Sequence, residues 1–120
     1  MFVLKDRVAV ITGAAGGIGR GIALALASRG CHLALADIDE AALTKTAAEM
    51  AAKGVKVSQY RLDVSDPAAI AVFPARVAAD HGGVDLLFNN AGVAIGGSFE
   101  QVSDADFEWL FSINFWASCA

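Results

Sequence analysis

The segment Val8-Ala9-Val10-Ile11 runs directly into Thr12-Gly13-Ala14-Ala15-Gly16-Gly17-Ile18-Gly19. Its first four residues are apolar and partly β-branched, which predicts a short buried strand. The glycines then predict a turn. Gly17 to Arg29 predicts a helix with apolar Ile18, Ile22, Leu24, Ala25 and Leu26, stopped at Gly30. Strand, glycine-rich turn and helix in that order suit a phosphate cradle. Gly13 permits the tight turn, Gly17 lets backbone approach a pyrophosphate, and Gly19 lets the helix pack closely on the sheet. The N–H groups at the helix start then face an anion. A P-loop is excluded, because no Gly-Lys-Ser/Thr follows. A glycine-rich turn without a ligand is the competing reading.

The same alternation continues outward from this unit. His32 to Ala36 is a second apolar strand ending at Asp37, and Asp39 predicts the cap of a helix to about Lys53, closed by Gly54. Val55 to Leu62 alternates as a third strand. Asp66-Pro67 starts a helix that reaches His81, with Pro74 in its interior, where a proline costs about 3 kcal/mol and kinks or splits a helix. Val84 to Phe88 is a fourth strand, running into Asn89-Asn90. Ala94 to Gln101 predicts a loop, Ser103-Asp104-Ala105-Asp106 resembles a capping box, and a last helix starts at Asp104. Short apolar strands alternating with helices imply βαβ units, a parallel sheet and right-handed crossovers with helices on both faces. No linker divides residues 1–120, so a single domain is expected.

Composition narrows the function classes. The chain is 56% hydrophobic and 18% charged, too apolar for disorder. The uncharged run from Val8 to Gly19 is 12 residues, short of the ~18 apolar residues of a spanning helix, so no membrane partner is expected. No Lys/Arg-led apolar stretch with a cleavage site opens the chain. Cys31 and Cys119 make no disulfide framework, which points to a reducing cytoplasm. The net charge is −4, and the 9 Lys and Arg residues are scattered, leaving no footprint for nucleic acid. No metal-ligand spacing is seen. His32 and His81 receive no role; His81 ends a helix near its negative pole, where cationic side chains are common. Cys31 reads as a small apolar filler.

Asp37, at the end of the second strand, lies where an acid accepts hydrogen bonds from adenosine ribose hydroxyls. It would also repel a 2′-phosphate. At ~4 Å and an effective dielectric of ~20, each unit charge contributes roughly 4 kcal/mol, and a third of that is still about tenfold in affinity. No Lys or Arg adjoins Asp37. NAD is therefore favoured over NADP; a plain helix cap is the alternative for Asp37.

Thr12-Gly13-x-x-x-Gly17-Ile18-Gly19 together with Asn89-Asn90-Ala91-Gly92 resembles the short-chain dehydrogenase/reductase family. Asp63-Val64 and Asn114 also match, and the resemblance runs from Lys5 to Trp116. It implies a Rossmann-type doubly wound α/β fold, truncated to about four strands in the order 3-2-1-4. It implies a nicotinamide cofactor and hydride exchange with an alcohol or carbonyl substrate. Residue by residue, Gly13, Gly17, Ile18 and Gly19 would line the pyrophosphate, and Asp37 would hold the adenosine ribose. Asp63 and Val64 would border the adenine. Asn90, Ala91 and Gly92 would pass beside the nicotinamide-side ribose, and Asn114 would hold a water of the proton relay. The family's full-length forms imply a homo-oligomer.

The resemblance also implies a serine and a Tyr-x-x-x-Lys that this sequence lacks, since its single tyrosine, Tyr60, precedes Asp63-Val64. Relatives commonly continue Asn-Phe-Trp with Gly-Val-Val-Arg-Met. Deleting one base near codon 117 would turn that into Ala117-Ser118-Cys119-Ala120 and a stop. The expectation is thus the N-terminal half of an oxidoreductase, as a frameshifted product or a fragment. The alternative is a non-catalytic nucleotide-binding or dimerising piece. A methyltransferase would want an acid before its glycines and a different motif after strand four.

Overall fold

The computed structural model describes residues 3–90. Its order is β1 (Val8–Thr12), α1 (Gly17–Ala27), β2 (His32–Asp37), α2 (Glu40–Ala51), β3 (Val57–Arg61), α3 (Pro67–His81) and β4 (Leu86–Asn89). The strands form one parallel sheet in the order β3-β2-β1-β4, as expected. The expected loop at Ala94–Gln101, the capping box at Ser103–Asp106 and the helix from Asp104 lie outside the described residues.

Both sheet faces are covered because β1 and β2 are apolar at every interior position rather than at every second one. Ala9, Ile11, Leu33 and Leu35 pack with Ala23 and Leu26 of α1 and with Leu43 and Met50 of α2. Val10, Ala34 and Ala36, which point the other way, pack with Phe73 and Val77 of α3 and with Tyr60. β1 sits between neighbours on both sides, so its carboxyl end is the middle of the sheet edge.

Several boundaries differ from expectation for local reasons. α1 and α2 stop at Ala27 and Ala51, before Arg29 and Lys53. Their last turns tighten instead, with Gly30 N–H donating to the Ala27 carbonyl and Gly54 N–H to the Ala51 carbonyl, both at 3.0 Å. β4 begins at Leu86 because Asp85 is used differently: its Oδ2 accepts the Val8 N–H at 2.9 Å, and its N–H donates to the Val8 carbonyl at 2.8 Å. Pro74 does not split α3, which runs unbroken from Pro67 to His81. Proline withdraws the N–H that would serve the Ile70 carbonyl. Buried Ile70, Phe73 and Val77 nevertheless anchor both halves of the helix on the sheet.

A polar cluster ties β3 to the last turn of α3. Tyr60 donates to Asp80 Oδ2 at 2.6 Å, Ser58 Oγ lies 2.6 Å from His81 Nε2, and Lys56 Nζ bonds the Asp80 carbonyl. Burial, then the bond to Asp80, pushes the Tyr60 hydroxyl up to about 12. Tyr60 is thus a structural residue of β3. Cys31 is the expected filler: fully buried, its thiol is pushed up to about 11 chiefly by desolvation. His81 stands in the last turn of α3, where it was expected, and burial and then the Lys56 ammonium lower its pKa and favour the neutral ring.

The sign of that shift fixes a pH dependence. A ring held neutral in the fold contributes stability above its unfolded value near ~6.5, and the contribution is lost as pH falls through the lower folded value. Urea midpoints should therefore drop between about pH 7.5 and about pH 5, and His81→Gln should flatten that drop. An equally steep drop in the variant would place the titrating group elsewhere.

Candidate functional site

The glycine turn sits at the carboxyl end of β1, in mid-sheet. Gly13 and Gly17 take φ of 65° and 57°, the left-handed region in which a side chain is strained. The turn is fixed by its neighbours. Ala14 N–H donates to the Ala36 carbonyl at 3.1 Å, and Ala15 N–H to Asp37 Oδ2 at 2.9 Å. The Thr46 hydroxyl of α2 donates to the Ala15 carbonyl at 3.1 Å. Gly19 is needed for a different contact from the expected one. A Cβ there would lie 2.0 Å from the Gly13 carbonyl oxygen, so α1 packs against its own turn rather than against a strand.

α1 differs from the other helices at its start. α2 is capped by Asp39, which accepts from Ala42 N–H, and α3 by Asp66, which accepts from Ala68 and Ala69 N–H. Among the described residues no side chain caps α1, and its first turn carries no acid. Its opening N–H groups and the positive end of its dipole are left for an external acceptor. Ile18, 73% exposed, stands beside them.

The expected residues Gly13, Asp37, Asp63 and Val64 come together around one cleft of about 360 Å³, with Ile38 and Leu62 completing its apolar walls. Asp37 Oδ1 accepts the Asp39 N–H at 3.0 Å, so Asp37 does not cap α2; Asp39 does. The Ser65 hydroxyl and then the Ser65 N–H hold the Asp63 carboxyl below the usual carboxylate range. An apolar slot with two carboxylates at its rim suits a flat, uncharged group that carries hydroxyls. It disfavours an added anion.

The second motif joins the first. Asn90 Nδ2 donates to the Gly13 carbonyl at 3.2 Å, and Thr12 Oγ1 donates to Asn89 Oδ1 at 2.8 Å. Ala91, Gly92 and Asn114 lie outside the described residues. Sequence reasoning gave no role to Ile38 or Thr46. Ile38 had a signal, as an apolar residue directly after the acid and 54% exposed. Thr46 had none. Among the described residues, no three His, Cys, Asp or Glu side chains are grouped to hold a metal ion, and no helix is long and apolar enough to cross a membrane.

Comparison with known proteins agrees with this geometry. The family model for short chain dehydrogenase matches residues 7–119. The probable oxidoreductase EphD of Mycobacterium tuberculosis is 43% identical over 109 residues, which cover 91% of this chain and 18% of that protein. A short chain dehydrogenase/reductase from Burkholderia phymatum, solved in complex with NAD, is 42% identical with a TM-score of 0.74. That match covers 99% of this chain and 42% of the solved one. A metagenomic short-chain oxidoreductase, solved in complex with NADP, is 36% identical with a TM-score of 0.71, covering 97% and 53%. The chain thus spans less than half the length of the curated relatives described, 18% of EphD for example.

Two alanine substitutions in α1 separate close approach from helix propensity. Gly19→Ala must push backbone aside and should cost about 2 kcal/mol or more in urea unfolding. Gly21→Ala, whose Cβ meets nothing within 4 Å, should gain about 0.5–1 kcal/mol. Equal midpoints for the two variants would remove the contact with Gly13 as a constraint.

Proposed function

Because the chain belongs to the short-chain dehydrogenase family, we propose that residues 1–120 are the N-terminal part of a single NAD(P)-binding Rossmann domain. The complete domain is then an oxidoreductase acting on a small alcohol or carbonyl compound. The observation that carries this reading is the convergence at one sheet edge of an uncapped helix start and a cleft rimmed by Asp37 and Asp63. The residues present fit the group. The Cβ positions of Gly16 and Gly17 face open space, and the donors beside them are backbone N–H groups.

In this reading a nicotinamide cofactor, when bound, would supply the hydride chemistry. The chain's own part is binding and orientation. Gly13, Gly17, Ile18 and Gly19 hold the pyrophosphate; Asp37 accepts from the adenosine ribose hydroxyls; Asp63 and Val64 border the adenine, with Ile38 on the other wall. Asn90, Ala91 and Gly92 run beside the nicotinamide-side ribose, and Asn114 steadies a water for proton transfer. Tyr60, the single tyrosine, is buried against Phe73 and donates to Asp80, so it supplies no proton here. That observation favours a second reading for these residues taken alone, in which they bind nucleotide or pair with another subunit without turnover. A cytoplasmic location and a homo-oligomeric full-length form complete the proposal.

NAD is preferred over NADP in this proposal because Asp37 lines the cleft and, among the described residues, no cation lines it. Arg20, the nearest basic residue beyond the turn, is engaged by Glu49. Calorimetric titration should find NADH bound about tenfold more tightly than NADPH. Asp37→Ala should shrink that ratio toward unity. A chain that binds NADPH as well as NADH, or neither, overturns the respective part of the proposal.

A further inference from the structure

Ala15 is held through both of its flanking peptide groups. Asp37 Oδ2 accepts its N–H at 2.9 Å, and the Thr46 hydroxyl donates to its carbonyl at 3.1 Å. Thr46 is one of two buried polar residues in the described core, at 1% exposure. Its neighbour Thr44 makes the ordinary helix bond, from its hydroxyl to the Glu40 carbonyl four residues back. Thr46 instead reaches across to the glycine turn, which lies 31 positions earlier in the sequence. Ala14 N–H is already tied to the Ala36 carbonyl, so the backbone is held at Ala14 and on both sides of Ala15. The Ala15 carbonyl and the Gly16 N–H share one peptide plane, so the tie to Thr46 bears directly on where the amide leading into α1 points.

We propose that Thr46 is a positioning residue for the cofactor's pyrophosphate. It touches no ligand and acts through the Ala15 peptide on the amides that do. The inference rests on the cofactor reading above and adds to it a residue of α2 that lies outside the glycine turn and the cleft. Loss of the hydroxyl leaves the Ala15 carbonyl without this donor and frees the turn to rotate. A neutral hydrogen bond of this kind corresponds to about five- to tenfold in affinity.

Two variants of the full 120-residue chain test it. Thr46→Val keeps the shape and removes the hydroxyl; Thr46→Ser keeps the hydroxyl and removes a methyl group. Titration with ADP-ribose should weaken about five- to tenfold in Thr46→Val and stay within about twofold in Thr46→Ser. Adenosine, which has no pyrophosphate, should bind both within about twofold of the unsubstituted chain. In the ligand-free chain, amide exchange at Ala15 to Gly17 should quicken in Thr46→Val alone. A residue needed only for packing would give the opposite order, with Thr46→Ser the worse variant, and that order overturns the proposal. So do unchanged exchange and unchanged ADP-ribose affinity in Thr46→Val. If the unsubstituted chain binds no ADP-ribose, the cofactor reading itself fails; the exchange result then shows separately whether Thr46 holds the turn.

Discussion

A Cβ on Gly19 would lie 2.0 Å from the Gly13 carbonyl oxygen, so α1 can start where it does only because that side chain is absent. The approach folds the turn back on itself and brings the first helical N–H groups over the carboxyl end of β1. The same Gly13 carbonyl accepts from Asn90 Nδ2 at 3.2 Å. One oxygen therefore lies where α1, the turn and the end of β4 meet. Enlarging Gly19 displaces that oxygen, and with it the register between the two motifs.

The sheet explains why these groups can meet at all. Parallel strands bring all their carboxyl ends to one edge, so Thr12, Asp37, Leu62 and Asn89 lie side by side despite their distance in sequence. β1 is central, and its two neighbours supply the acid on one side and the asparagines on the other. The opposite edge has its own fastening. Asp85 bonds the Val8 backbone and Arg7 pairs with Asp85. That edge is committed to holding β1 and β4 in register.

What could be read from the sequence was whatever is local. The Asp39 cap, the Asp66-Pro67 helix start and the apolar centres of β1 and β2 each act within a few residues, and each stands where it was expected; β3 spans Val57–Arg61 rather than Val55 to Leu62, and β4 Leu86–Asn89 rather than Val84 to Phe88. What could not be read depends on a contact between distant elements. Thr44 and Thr46 look alike in sequence, and only the way α2 lies in the fold lets Thr44 keep its helix bond while accepting from Gln59 of β3, and turns Thr46 to the glycine turn. Pro74 shows the same limit in reverse. Its local cost is real, but Ile70, Phe73 and Val77 decide the outcome by packing on the sheet. The reason for Gly19 was misplaced for a related cause: spacing shows that the helix comes close, not which atom it meets.

Asp37 combines two constraints that are usually considered apart. Its Oδ2 accepts from Ala15 in the turn and its Oδ1 from Asp39 before α2, so both oxygens are already used by the fold. A carboxylate has about four acceptor sites, which leaves capacity for the two hydroxyls of a ribose. On the proposed reading, the group that selects the cofactor by charge is also one that sets the turn for the pyrophosphate. Replacing Asp37 by a neutral, shorter residue relieves the repulsion of a 2′-phosphate but also releases the Ala15 N–H. Cofactor preference and overall affinity are then coupled through one side chain. Thr46 is the remaining side-chain grip on the same residue, and a change of preference at position 37 would depend on it to keep the turn in place.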